Sequence, residues 1–105
     1  MGMFNLSHSP AEKKLLQALL TLKTEAEVKD FLVDLLTPAE LEEFVKRFQM
    51  ATLLWTTKKS YLEIAQEVDT STTTVTRVAR FLFKEPFQGY MTALKRLYPK
   101  IKPAR

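Results

Sequence analysis

Apolar residues recur at helical spacing along nearly the whole chain, and the breaks between runs carry helix-start chemistry. Ser9-Pro10-Ala11-Glu12 sets a capping hydroxyl, a first-turn proline and a carboxylate in order. It predicts a helix over about 10–22 whose apolar surface is Leu15, Leu16, Leu19, Leu20 and Leu22. Thr24-Glu25-Ala26-Glu27 repeats the pattern and opens a second helix, about 25–36, with Val28, Phe31, Leu32, Leu35 and Leu36 on one face. Thr37-Pro38-Ala39-Glu40 opens a third, about 38–56, which places Leu41, Phe44, Val45 and Phe48 together and continues towards Thr52 and Trp55. Ser60-Tyr61-Leu62-Glu63 starts a fourth in the same way. A last helix, about 86–98, is expected to bury Tyr90, Met91, Leu94 and Leu97, with Pro99–Arg105 frayed and adding phosphate contacts. No strand pattern survives, so the expectation is an all-α domain covering residues 1–105.

The segment Tyr61–Arg80 carries more than helix periodicity. Ile64, Ala65 and Val68 share a face of one short helix, and Val75, Val78 and Leu82 share a face of the next. Asp69-Thr70-Ser71 breaks the two apart and offers a side chain to cap the second. Asp69 stands where glycine is common, since aspartate tolerates a left-handed backbone better than most residues. Two helices that cross steeply need a small residue where they approach, and Ala65 supplies it. This is the spacing of a helix-turn-helix, over about 60–83. Its second helix leaves Thr72, Thr73, Thr76, Arg77 and Arg80 off the core. Hydroxyls and guanidiniums on a bare helix face suit phosphates and base edges.

Charge placement agrees with that picture. Residues 1–56 hold six Lys/Arg against eight Asp/Glu, whereas residues 57–105 hold ten against four. The basic half is the half with the helix-turn-helix, as backbone-phosphate binding requires. Ser60, Tyr61, Ser71 and Lys84 join the exposed threonines and arginines as expected DNA contacts, with Lys58 and Lys59 as a backbone clamp. The bland alternative for each is an ordinary solvated surface. For Trp55 it is packing rather than base stacking.

Other chemistries lack their residues. There is no cysteine, and His8 is the lone histidine, so neither a disulfide nor a transition-metal site is expected. Glu40, Glu42 and Glu43 cluster at a helix start, where they suit the helix dipole rather than acid–base catalysis. With only Gly2 and Gly89, no phosphate-cradling loop exists, and neither enzyme activity nor a cofactor is expected. No apolar run reaches the ~18 residues a membrane span needs, and no secretory signal pattern opens the chain, which makes a cytoplasmic location the default. The first two helices carry more leucine and phenylalanine than one small chain hides, which predicts a homodimer.

Three anchors in register, Leu36-Thr37-Pro38, Arg47 and Thr74-Val75-Thr76-Arg77, resemble the Trp repressor family, and more closely its YerC/YecD-like branch. The resemblance spans roughly Leu15–Leu97. It implies a six-helix fold in an intertwined homodimer, with dimerisation helices at about 10–56 and 86–98 and a helix-turn-helix as the DNA-reading head. In tryptophan-binding members the corepressor's indole lies between two arginines near threonines, which implies a site at Thr37, Arg47, Thr74 and Arg77 here. Two neighbours depart from that pattern. Val78 replaces a glycine and Phe81 a small serine, and both add bulk where a planar ligand would lie. Leu62 and Ala65 stand where the family's first reader helix is polar and basic, so the operator does not carry over. The expected function is thus a sequence-specific transcriptional regulator, most simply a repressor, that does not respond to tryptophan. Two alternatives stay open: a helical protein–protein adaptor, and a repressor gated by another small molecule.

Overall fold

Local capping chemistry sets where the helices of this computed structural model begin; it describes residues 9–105, so His8 lies outside the described residues. Six helices and no strand occur among them: α1 (Pro10–Thr21), α2 (Glu25–Leu35), α3 (Pro38–Thr56), α4 (Tyr61–Val68), α5 (Thr72–Phe83) and α6 (Gly89–Leu97). Ser9 Oγ accepts from Glu12 N–H at 3.0 Å and Thr24 Oγ1 from Glu27 N–H at 3.1 Å. The Glu27 carboxylate reaches one residue further back than expected, to Lys23 N–H at 2.8 Å. At Thr37–Glu40 and Ser60–Glu63 both reciprocal bonds form, at 2.8–3.1 Å. Each capped start offsets helix-end groups that would otherwise have no partner.

The chain forms two compact units, one ending at Leu41 and the other spanning Glu42–Arg105. In the first, α1 and α2 contain no buried residue. Leu20 is 84% exposed, and Leu16, Val33 and Leu35 are about half exposed. This is the apolar excess that the sequence predicts.

The second unit holds the core. Met50, Ala51, Leu54 and Trp55 of α3 join Ile64, Ala65 and Val68 of α4, then Val75, Val78, Ala79 and Leu82 of α5, with Leu94 of α6. The apolar face expected for α3 is buried only in part, at Trp55 and, less fully, Phe48. Its buried stripe lies nearer the carboxyl end, while Phe44 and Val45 remain 48% and 58% exposed. In α6, Leu94 is fully buried and Tyr90 and Met91 partly so, but Leu97 is 60% exposed, against expectation. The same helix starts three residues later than the pattern near Pro86 suggests. Glu85 N–H closes onto Arg80 O at 3.0 Å and Gln88 takes a left-handed conformation (φ 58°), which postpones the helix to Gly89.

Asp69 has φ 61° and ψ 60°. Around it, Thr70 N–H bonds Ala65 O at 2.9 Å, the closure of a helix that ends in a left-handed residue. Asp69→Ala is expected to cost ~1 kcal/mol in urea unfolding, whereas Asp69→Gly should be neutral or slightly stabilising, because only glycine occupies that region freely. Equal stability of the two variants would mean that the turn carries no strain.

The segment after α6 is not frayed. Ala104 N–H donates to Trp55 O at 3.1 Å, and Arg105 Nε donates to Leu54 O at 3.0 Å. The Arg105 cation is thus spent inside the molecule rather than held out for phosphate, while Lys100 and Lys102 stay exposed.

Candidate nucleic-acid interface

The helix-turn-helix takes its geometry from its small and branched residues. Ala65 and Ala79 are buried, as are Val75, Val78 and Leu82 on the inner face of α5. With that face committed, helical periodicity turns Thr72, Thr73, Thr76, Arg77 and Arg80 to solvent, and all five are exposed. Ser71 caps α5, its Oγ accepting from Thr74 N–H at 3.2 Å and lying 3.0 Å from Thr74 Oγ1. Thr76 Oγ1 donates back to Thr72 O at 2.9 Å. The side-chain hydroxyls of Thr72 and Thr73 hold no hydrogen bond among the described residues, so both are available to an incoming group.

Another feature separates α5 from the four helices before it. Helices α1 to α4 each carry glutamate in the first turn, Glu12, Glu25 with Glu27, Glu40 and Glu63. The Glu63 carboxyl is held below its ordinary range chiefly by hydrogen bonds from Ser60, with Lys59 adding to the effect. The first turn of α5 has no acid, only Thr72-Thr73-Thr74. Its positive helix end therefore stays uncompensated beside the exposed hydroxyls, an arrangement that favours anions. This signal lies in the sequence, in the absence of the carboxylate that the starts of α1 to α4 use; α6 lacks it as well, but has no hydroxyl cap.

Tyr61, Thr76, Arg80 and Lys84, four of the expected contacts, line one hollow of about 260 Å³ together with Ala79 and Phe83. It lies between the first residue of α4 and the outer side of α5. An apolar floor with two cations and a hydroxyl at its edge suits a sugar–phosphate unit. Ala79 and Phe83 are not among the expected contacts, since nothing in their residue types points to a ligand. Ser60 is spent on its cap, accepting from Glu63 N–H at 3.1 Å, and Ser71 likewise.

The basic residues are less uniform than their spacing suggests. Arg80 Nε donates to Glu85 Oε2 at 2.8 Å, and its guanidinium lies 5.8 Å from the Phe81 ring centroid. Arg77 covers the same ring at 4.9 Å. Lys59 forms an ion pair with Glu67, while Lys58 and Lys84 are exposed.

Of the residues implied for a corepressor site, Arg47 and Arg77 both act electrostatically on one side chain, Tyr90. Burial pushes the Tyr90 hydroxyl above its ordinary value, and the charges of Arg47 and Arg77 pull it the other way. Its ring is 6.3 Å from that of Phe48. Arg47 also lies 3.6 Å from Glu43, within the same helix. Thr74 is engaged with Ser71, and Thr37 serves as the cap of α3. Val78 lies in the core, whereas Phe81 sits beneath Arg77 with its ring 6.5 Å from Phe87. The chain's own Phe81 ring thus lies against Arg77 and Arg80. Tyr90 had been read only as packing, because nothing local in the sequence ties it to Arg47 or Arg77.

These features define a helix-turn-helix protein of the regulator kind. The chain belongs to the Trp repressor family, whose model, described as Trp repressor protein, matches residues 11–98. It is similar to the crystal structure of a TrpR-like protein from Eubacterium eligens, with 36% identity, a TM-score of 0.78 and coverage of 86% of this chain and 91% of that one. It is also similar to a provisionally named Trp repressor from Staphylococcus aureus, with 31% identity, a TM-score of 0.80 and coverage of 90% and 92%. Among curated proteins, none matches. No helix among the described residues is long and apolar enough to cross a membrane.

Proposed function

We propose that the protein is a sequence-specific DNA-binding transcriptional regulator that acts as a homodimer, most simply by occluding a promoter. The observation that carries this reading is the bare rim of α5: free threonine hydroxyls, exposed arginines and a helix start with no acid. Helix α5 enters the major groove from its amino end, where Thr72 and Thr73 reach base edges. Tyr61, Arg80 and Lys84 hold the flanking backbone. For Arg80 this means exchanging Glu85, whose side chain is 21% exposed, for a phosphate.

The test is binding to sites selected from a randomised duplex pool, followed across salt concentrations. Arg80→Ala should weaken binding to all duplexes and reduce the salt slope by about 1, whereas Thr73→Ala should change which bases are preferred. Variants that bind every duplex as the parent does would remove α5 from the groove. A helical adaptor, the competing class, would leave heparin or duplex DNA early with little salt effect.

We further infer that tryptophan is not required. Phe81 beneath Arg77, and Tyr90 in the field of both arginines, supply from within the chain the aromatic surface that a planar ligand would bring. Calorimetry with tryptophan should show no binding heat and no change in DNA affinity. Saturable binding that tightens the DNA complex would instead favour a ligand-gated repressor.

A further inference from the structure

The carboxyl end of α3 lacks the usual means of satisfying its last carbonyls. No glycine follows it, and its last turn contains no basic residue. Leu53 O is served locally, by Thr57 N–H at 3.0 Å and by the Thr57 hydroxyl at 2.6 Å. The next two carbonyls are served from far along the chain. Leu54 O accepts from Arg105 Nε at 3.0 Å and Trp55 O from Ala104 N–H at 3.1 Å.

Arg105 does more than cap. Its Nη2 donates to Lys59 O, the carbonyl just ahead of the Ser60 cap, and its guanidinium lies 6.0 Å from the centroid of the Tyr61 ring. One planar side chain therefore touches the end of α3, the link and the first residue of α4. A guanidinium suits this task because its donors diverge in a fixed fork that can reach two carbonyls at once. The corner it holds sets the position of α4, and Tyr61 is a wall of the hollow on the reading side.

We propose that Arg105 is a positioning residue for DNA reading: it fastens the α3–α4 corner and so fixes the placement of Ser60 and Tyr61 against the duplex backbone. The proposal rests on the DNA-binding function above but makes a claim of its own, that this arginine acts through the protein backbone and not through phosphate. The two roles leave different traces. A phosphate contact contributes to counterion release and tolerates lysine, whereas a two-carbonyl fork does neither.

The experiment compares the parent chain with Arg105→Ala and Arg105→Lys by amide hydrogen exchange and by duplex binding across salt. In Arg105→Ala, the hydrogen-bonded amides of Lys59, Ser60 and Glu63 should exchange about tenfold faster, as loss of hydrogen bonds from a charged donor implies. Preference for the selected site over random duplex should fall about tenfold on the same basis, with the salt slope unchanged. Arg105→Lys should recover only part of either loss. Unchanged exchange at Lys59, Ser60 and Glu63 would overturn the proposal. So would a salt slope lowered by about 1 and restored by lysine, the trace of a phosphate contact. A parent chain that discriminates no duplex would sink the DNA-reading function, and exchange would still decide whether Arg105 holds the corner.

Discussion

Replacing Ile64 with alanine is expected to cost about 3 kcal/mol of unfolding free energy, within the range of roughly 2–5 kcal/mol for large buried aliphatics. Ile64 is fully buried, in one cluster with Val75, Val78 and Leu82 of α5 and Leu54 of α3. Its removal leaves a cavity that rigid neighbours fill only in part. The effect should reach function, because α4 is only eight residues long. A helix that short is not stable alone in water and depends on its buried face. With Ile64 gone, α4 loses much of its hold on α5, and the capped corner at Ser60 no longer fixes where Tyr61 points. Urea unfolding gives the stability loss; duplex affinity, measured where the variant is still folded, should fall by more than the unfolded fraction explains. Leu62 is the control. It lies two residues away, is exposed, and its truncation should shift stability by less than about 0.5 kcal/mol. If Ile64→Ala costs less than 1 kcal/mol, the crossing of α4 and α5 is not held as described.

The helix starts were legible because their determinants lie within four residues. A hydroxyl, a proline and a carboxylate at fixed offsets make bonds that no distant part of the chain can alter, and Ser60–Glu63 forms both of them. The inner faces of α4 and α5 were legible for a related reason: short amphipathic helices have one apolar stripe each. Once Val75 and Val78 are committed to the core, periodicity alone assigns Thr73, Thr76 and Arg80 to the outside.

Three failures share the opposite cause. The burial of Met50 and Leu54 in place of Phe44 and Val45 depends on which part of a 19-residue helix finds neighbours, and that is a tertiary fact. The late start of α6 depends on a left-handed Gln88, a conformation that its residue type does not announce. The docked Arg105 bonds carbonyls 51 and 46 residues earlier in the chain. At the site, the pairing of Arg80 with Glu85 beyond the helix end and the electrostatic influence of Arg47 and Arg77 on Tyr90 belong to the same group. Spacing assigns side chains to a face; it does not reveal which of them already have partners.

The apolar surface of α1 gives the second large effect. Leu16 and Leu20 are exposed in the single chain, and α1 and α2 bury none of their residues. Consider Leu16→Glu combined with Leu20→Glu. If the working form were a monomer, both changes would lie on a solvated face. Glutamate is nearly as good a helix former as leucine, so stability should then move by less than about 0.5 kcal/mol per site. If α1 instead lies in the core of a dimer, each chain brings two carboxylates into a place without water or partner. Burial of that kind costs several kcal/mol, so the dimer should weaken by about 100-fold or more. Sedimentation at micromolar concentration separates the cases: the parent should run as a dimer and the double variant as a monomer. DNA affinity should follow, because a two-fold dimer engages two half-sites and a lone head engages one. The variant should therefore lose most of its affinity for a palindromic site while keeping a weak, salt-sensitive attraction to any duplex, since the rim of α5 is untouched. A parent chain that sediments as a monomer, with a variant that binds DNA equally well, would show that these leucines have some other purpose.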